Sequence, residues 1–214
     1  MLRLRLPHRR ETPHASNSAR IGAPSSLVKD ERGSALVEFA ITLPLLVVFV
    51  VGIYDFSGAF NQKQKIEQAA QEGAILAGAQ PMNDIQAVNP SPDSLQPVVT
   101  AVFNSLAGSG VLNNAGLATC VPPGVPTPAG PSLPLAWTYT IQGCARAYGT
   151  DNLIITINRG LVSTITSPAT VGSMVTVSYP YHWRFNSVIQ LLFPGANYAA
   201  ATQVSESATA HNQM

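Results

Sequence analysis

The N-terminal part of the chain contains one long apolar run. From Ser34 to Tyr54 the sequence reads SALVEFAITLPLLVVFVVGIY, and Glu38 is the only charged residue in it. A helix needs about 20 apolar residues to cross a bilayer. Pro44 lies inside the run, where it removes one backbone hydrogen bond and favours a kink. We therefore predict a transmembrane helix over residues 34–54.

The helical pattern continues beyond the apolar run. Residues 55–79 contain no proline, and their apolar residues recur at mostly three- and four-residue steps, at Phe56, Phe60, Ile66, Ala69, Ala70, Ala74 and Leu76. That spacing is typical of a helix with one apolar face. Pro81 follows and ends the pattern. The sequence thus predicts one helix from Ser34 to Ala79. The segment 55–80, which holds the second half of this helix, is predicted to lie outside the membrane and to pack under a domain.

Residues 81–214 predict a small exported α+β domain. Residues 81–135 are rich in proline, with one short helix expected over Leu95–Leu106, capped by Ser94. Alternation of apolar and polar residues predicts antiparallel strands, at 137–142, 152–158, 171–183 and, more weakly, 161–166. The tail, at 186–193 and 197–210, is predicted to be helical. The fold class is α+β: a long N-terminal membrane-spanning helix that extends into a small antiparallel-sheet domain.

The charge distribution predicts the topology. Residues 1–33 hold seven of the 12 basic residues and three acidic ones, whereas residues 34–214 hold five bases and eight acids. Basic residues just before a membrane helix favour the cytoplasmic side, so the bulk of the chain should be exported, to the periplasm or the cell exterior. The leader, 1–33, lacks apolar periodicity and is predicted to be disordered. Topology explains its bases better than a nucleic-acid partner does, and we expect no such partner.

Glu38 is the first candidate functional residue. A carboxylate deep in an apolar span costs roughly 2.5–3.5 kcal/mol, so it is expected to have a role and a partner. Cleavage between Gly33 and Ser34 would make Glu38 the fifth residue of the mature chain and Phe39 the sixth. A new α-amino group would then lie one helical turn below the carboxylate, where a low dielectric strengthens their attraction.

These features together resemble the type IV pilin class, and within it the TadE-like pseudopilins of tight-adherence (Flp-type) pilus systems. The similarity lies in the G-x-x-x-V-E-F-A start, the proline, the G-I-x-D-F exit and the A-A-Q-E-G-A stretch, at Gly33–Ala40, Pro44, Gly52–Phe56 and Ala69–Ala74. The resemblance implies a minor pilin of the bacterial inner membrane with prepilin peptidase, other pilin subunits and the assembly machinery as partners. It also implies peptidase cleavage at Gly33 and Ser34, with Glu38 and Phe39 at the amine-pairing site.

Two other interpretations of the N-terminal region remain open. One is a secretory signal that is cut after the apolar run, although the sequence SGAF at Ser57–Phe60 is a poor cleavage site. The other is an uncleaved signal anchor that carries an exported binding or adhesin-like module. Neither of them gives Gly33 or Glu38 a function.

The remaining candidate chemistry is sparse. Cys120 and Cys144 are the only cysteines, and on the exported side we expect them to form a disulfide worth roughly 3 kcal/mol, rather than free thiols or a zinc site. His182 is expected to be packed or exposed rather than catalytic, and Ser109 has no evident base. Asp84 and Asp151 are predicted as turn or cap residues. We therefore predict no enzyme activity, no cofactor and no metal.

Overall fold

The computed structural model describes residues 31–112, 120–122, 124–144, 151–163, 170–185, 190, 195 and 201–213. Two α-helices are present, α1 (Glu31–Ala79) and α2 (Gln96–Gly108), with a 3₁₀ turn at Asp93–Leu95. Five strands follow: β1 (Thr127–Pro128), β2 (Ala136–Ile141), β3 (Leu153–Ser163), β4 (Thr170–His182) and β5 (Ala201–His211). They form one antiparallel sheet in the order β1-β2-β3-β4-β5. The predicted α+β class is confirmed.

Helix α1 begins three residues earlier than the sequence predicts and continues through Pro44 to Ala79. The chain divides into two compact units next to that proline, Met1–Leu45 and Leu46–Met214. The described side chains of the first unit are exposed. By length and composition, α1 is the one helix among the described residues that could cross a membrane.

The later part of α1 packs on the sheet through small residues. Buried positions on α1 include Ile66, Ala69, Ala70, Ala74 and Ala77. A Cβ atom at Gly73 would lie 2.5 Å from a methyl of Val102 on α2 and 3.2 Å from a methyl of Val175 on β4. Gly73 therefore lets α1 contact α2 and the sheet at the same place, which a larger residue would prevent.

One face of the sheet forms the core with the two helices. The alternate residues Trp137, Tyr139 and Ile141 of β2 are buried, as are Leu153, Ile155 and Ile157 of β3. Val175, Val177 and Tyr179 extend this face along β4. The strands predicted from the alternation of apolar and polar residues are thus confirmed as β2, β3 and β4. The more weakly predicted strand at 161–166 is in part the end of β3, which continues to Ser163.

The helix predicted over Leu95–Leu106 is present as α2, but Ser94 does not cap it. The capping position is Leu95, which makes no side-chain hydrogen bond, and the buried Ser94 hydroxyl has no hydrogen-bond partner. Instead, the Ser94 backbone N–H donates to Asp84 Oδ2 at 2.8 Å. The 3₁₀ turn separates Ser94 from the start of α2, so the Ser94 side chain does not cap the helix. The Asp84 carboxylate is the group that accepts a backbone N–H in front of α2.

The predicted helix at 197–210 is wrong, because Ala201–His211 forms strand β5. Its alanine, glutamate and glutamine residues are locally compatible with a helix. Pairing with β4 overrides that preference through an unbroken register of eleven residue pairs, from Gly172↔His211 to His182↔Ala201. The predicted leader (up to residue 30) and most of the predicted helix at 186–193 lie outside the described residues.

Candidate functional site

Glu38 lies on an exposed, apolar surface of α1. Its neighbours Leu36, Phe39 and Ile41 are at least 60 % exposed, at 70 %, 63 % and 71 %. The Ser34 hydroxyl donates to Glu38 Oε1 at 3.5 Å, the outer limit of a hydrogen bond. The Thr42 hydroxyl donates to the backbone carbonyl of Glu38. Ser34, Glu38 and Thr42 therefore form a narrow polar line on an otherwise apolar helix.

The structure brings the Ser34 hydroxyl and the Glu38 carboxylate together, and Gly33 is the helical residue immediately before Ser34. A Cβ atom built on Gly33 would meet nothing within 4 Å. Phe39, the residue after Glu38, is also on the exposed surface of α1. A carboxylate one turn above residue 34 is positioned to attract a positive charge on the backbone nitrogen of that residue.

A second carboxylate, Asp55, lies at the other end of the apolar run and is buried, with 2 % of its surface exposed. Its Oδ1 accepts a hydrogen bond from the Tyr181 hydroxyl at 2.8 Å, and its Oδ2 accepts one from the Phe185 backbone N–H at 2.7 Å. The Tyr181 hydroxyl also lies 3.0 Å from the Asp55 carbonyl oxygen. Asp55 thereby fastens α1 to the end of β4 and to the residues that follow it.

Tyr181 belongs to an aromatic group at the end of β4. Its ring packs edge-on against Trp183 at 5.1 Å between centroids, and Trp183 packs in the same way against Phe56 at 5.3 Å. Burial, followed by the hydrogen bond to Asp55, raises the pKa of Tyr181 to about 12. Because the pKa is raised, the neutral donor stabilises the fold fully below pH 10, and this contribution disappears as the pH approaches 12.

Arg159 is a fully buried cation beneath the end of α1. Its Nη2 donates to the Gln80 carbonyl at 2.8 Å and lies 2.8 Å from Met82 Sδ. Burial lowers the pKa of this guanidinium below its ordinary value, while the negative charge of Asp84 opposes that shift. A cation at the C-terminus of a helix interacts favourably with the helix dipole, so Arg159 secures the place where α1 enters the domain.

His182, at the end of β4, is in contact with an aspartate side chain. His182 Nε2 lies 2.5 Å from Asp151 Oδ2, where the side chains are 28 % and 9 % exposed. This contact joins the end of β4 to the position two residues before β3, so Asp151, predicted as a turn or cap residue, also has a histidine partner. The Ser109 hydroxyl donates to the Leu106 carbonyl at the end of α2. Among the described residues, no group of three or more His, Cys, Asp or Glu side chains could hold a metal ion.

Cys120 and Cys144 lie at disulfide distance, with their sulfur atoms 2.08 Å apart. Both residues are fully buried and belong to the hydrophobic core, so they connect the proline-rich segment to the residues after β2. The pair encloses 24 positions of chain, for which the loop-entropy relation gives roughly 3 kcal/mol.

We predict that Cys120→Ser or Cys144→Ser lowers the free energy of unfolding by about 3 kcal/mol, because the unfolded chain loses its cross-link. Denaturant unfolding of the full chain in detergent, with and without reductant, measures this change. Both variants should match the reduced wild type. Two freely alkylated thiols in unreduced protein purified under native conditions would contradict the prediction.

Sequence reasoning did not single out Asp55 or Arg159, and it did not predict that Asp151 pairs with His182. Asp55 was visible as the acidic residue of the G-I-x-D-F exit, but its donors lie 126 and 130 positions away. An arginine within the NLIITINRG strand pattern was the corresponding indication of a buried cation. Their roles depend on contacts between distant segments, which residue spacing does not reveal.

The described structure is that of an α+β protein whose long N-terminal helix exposes an apolar surface with one carboxylate near its start. A family model described as TadE-like protein matches residues 33–74, which include Gly33, Glu38, Asp55 and the A-A-Q-E-G-A stretch. Over that segment the chain is similar to TadE-like proteins, which is consistent with a pilin of tight-adherence pili. No curated protein and no solved structure shows significant similarity to the chain.

Proposed function

We propose that this chain is a membrane-anchored minor pilin, or pseudopilin, that assists the assembly of a tight-adherence pilus and has no catalytic activity of its own. The observation that carries the proposal is the polar line on α1. Within the segment that matches the TadE-like model, Glu38 lies on an exposed apolar surface, one helical turn from Ser34. An exposed carboxylate among exposed apolar residues indicates a helix that meets lipid and then other helices.

In the proposed maturation, prepilin peptidase cuts between Gly33 and Ser34 at the cytoplasmic face. The new α-amino group belongs to the same residue whose hydroxyl already lies 3.5 Å from Glu38 Oε1. A charged pair formed there lowers the cost of withdrawing the carboxylate from water when helices bundle, whether the amine is on the same chain or on a neighbouring subunit. Glu38 would thus select partner subunits.

The proposed arrangement in the cell follows from the same elements. Residues 34–54 cross the inner membrane with the N-terminus in the cytoplasm, and residues 55–80 continue the helix on the other side. Residues 81–214 form the exported domain. The cystine pair and the low charge of this part are in keeping with an exported domain.

The first test concerns processing. We expect Gly33→Phe to accumulate as the full-length form, because a bulky side chain before the scissile bond hinders entry of an extended backbone into the protease. The open space around Gly33 means that the fold itself tolerates the change. Intact mass and N-terminal sequencing of the membrane fraction measure the outcome.

Gly52→Phe is the matched control, since a Cβ atom there also meets nothing within 4 Å, and it should be processed normally. A wild-type N-terminus after Ser57 would indicate an ordinary secretory signal instead. An uncut wild-type chain would favour the alternative function, an exported binding or adhesin-like module on an uncleaved anchor.

A further inference from the structure

Two cavities adjoin beside α1 in the second unit, near the end of the apolar run. The first is an apolar groove of about 810 Å³, whose lining includes Phe49, Ile53, Phe56, Phe60 and Phe185. The second is a polar pocket of about 410 Å³, whose lining includes Tyr54, Gln62, Lys65, Tyr181 and Arg184. Ser57 and Asn61 line both cavities, so the two form one continuous amphipathic site.

The groove exposes side chains that the sequence pattern assigns to the buried face of α1. Phe56 and Phe60 are 65 % and 62 % exposed, and Ile53 is 70 % exposed. Two exposed phenylalanines one turn apart, with Phe185 beside them, present a contiguous apolar surface rather than scattered residues. Such surfaces mark binding sites.

The pocket holds a cation that no described residue neutralises. Lys63 pairs with Glu206 at 3.3 Å, Arg159 is buried, and Lys65 Nζ donates to the Ser109 carbonyl at 2.8 Å. The exposed Arg184 has neither a hydrogen bond nor an ion pair to any residue in the described part of the chain. The nearby Asp55 carboxylate is buried and already accepts from Tyr181 and Phe185. The pocket therefore offers a net positive charge to a ligand.

The position of the site along α1 matches a bilayer interface. Ser57 follows the last residue of the apolar run, Tyr54, by about 4.5 Å at 1.5 Å per helical residue, and Asn61 follows it by about 10.5 Å. The headgroup region of one leaflet is about 5–8 Å thick. The part of the polar pocket near Ser57 thus falls at headgroup level, and the part of the groove lined by Val48, Phe49 and Ile53 falls beside the acyl chains. Tyr54 and Trp183 supply the amphipathic aromatic rings that are typical of this level.

We propose that this groove and pocket bind one anionic phospholipid, with an acyl chain along the groove and the headgroup phosphate on Arg184. The proposal rests on the membrane anchoring put forward under Proposed function. An apolar helix of a second copy would fill the groove, but the one carboxylate of its apolar run, Glu38, is the group that the proposed function pairs with an α-amino group. Arg184 would then be left without a negative partner, which is costly away from water. A lipid with an anionic headgroup matches both the apolar and the charged part.

The test uses the full chain in vesicles that contain phosphatidylglycerol or phosphatidylcholine with brominated acyl chains. Trp183 contacts Phe56 of the groove and reports a nearby bromine by fluorescence quenching, while the buried Trp137 serves as an internal reference. We expect the wild type to prefer phosphatidylglycerol. Arg184→Gln should reduce that preference about five-fold, since each basic residue near an anionic surface contributes about 1 kcal/mol.

Two further variants complete the design. Lys63→Gln removes a positive charge from the same region of α1, but Lys63 is paired with Glu206 and lines neither cavity, so the preference should not change. Gly52→Leu projects into the open groove and should reduce quenching by both lipids. Inorganic phosphate should not displace the lipid, because it makes no contact with the groove.

Other results would overturn the proposal. They are an equal preference in the wild type and Arg184→Gln, the same loss in Lys63→Gln, or displacement of the lipid by free phosphate. If Gly52→Leu changes the oligomers that chemical cross-linking detects but leaves the fluorescence quenching unchanged, the groove binds a second copy of the chain instead of a lipid. Carbonate extraction separates the two proposals. A chain that is not membrane-inserted contradicts both, whereas an inserted chain without lipid preference contradicts only this one.

Discussion

Glu38→Ala is expected to abolish pilus assembly while the protein accumulates in the membrane at its normal level. The substitution removes a carboxylate that would cost roughly 2.5–3.5 kcal/mol at the centre of an apolar span and less near its end, so insertion is unimpaired or easier. It also removes the proposed acceptor for the α-amino group of residue 34, and with it the attraction that we propose selects partner helices. Electron microscopy of pili and pull-down of partner subunits measure the effect, and immunoblotting of the membrane fraction checks the level.

The neighbouring positions supply controls for this experiment. Glu38→Asp keeps the charge but is one methylene shorter, so assembly should be intermediate. Thr42→Val changes a polar residue one turn further along the same polar line, where the hydroxyl contacts only a backbone carbonyl, and assembly should be retained. Normal piliation and normal pull-down by Glu38→Ala would mean that the carboxylate has no partner, and the assembly role would be rejected.

The second large effect is expected at Asp55. Asp55→Ala should lower the free energy of unfolding by about 3 kcal/mol, because two hydrogen bonds to a buried carboxylate are lost and the Phe185 N–H keeps no acceptor. Hydrogen bonds to charged groups contribute about 1.5–3 kcal/mol each. Denaturant unfolding of the full chain in detergent, followed by tryptophan fluorescence, measures the loss.

Three variants separate the contact from general damage to the fold. Tyr181→Phe removes one of the two donors and should lose less stability than Asp55→Ala. Asp55→Asn keeps one acceptor oxygen and should lie between Asp55→Ala and the wild type. Tyr54→Phe, next to Asp55 but 66 % exposed, should stay within about 0.5 kcal/mol of the wild type. Equal stability of Asp55→Ala and the wild type would show that α1 is held to β4 by apolar packing alone.

The two carboxylates at the ends of the apolar run have opposite surroundings. The Glu38 carboxylate is exposed and accepts from one hydroxyl of its own helix, whereas the Asp55 carboxylate is buried and accepts from two donors at and just after the end of β4. Its exposure leaves Glu38 available to a partner, while Asp55 is already saturated. This contrast is why loss of Glu38 is expected to impair assembly without unfolding the domain, and loss of Asp55 to destabilise the domain first.

Local sequence determined the elements whose pattern repeats over many residues. The helix over residues 34–79, the period-two strands β2, β3 and β4, and the short α2 follow from spacing alone, because each buries residues at a fixed interval along its own segment. The Ser34–Glu38 pair follows equally from the helical repeat, since residues four apart share a face.

Tertiary structure decided what those elements contact. Residues 201–211 contain good helix formers, yet eleven long-range pairs with β4 make them a strand. Phe56 and Phe60 continue the apolar spacing of α1 but stay exposed, because the small residues near Gly73 set the face that approaches the sheet. Asp55 acquires its donors, and Arg159 its carbonyl partner, from segments 79 to 130 positions away. Spacing along the chain describes one element at a time, whereas these contacts depend on free energy gained between elements only after the fold has formed.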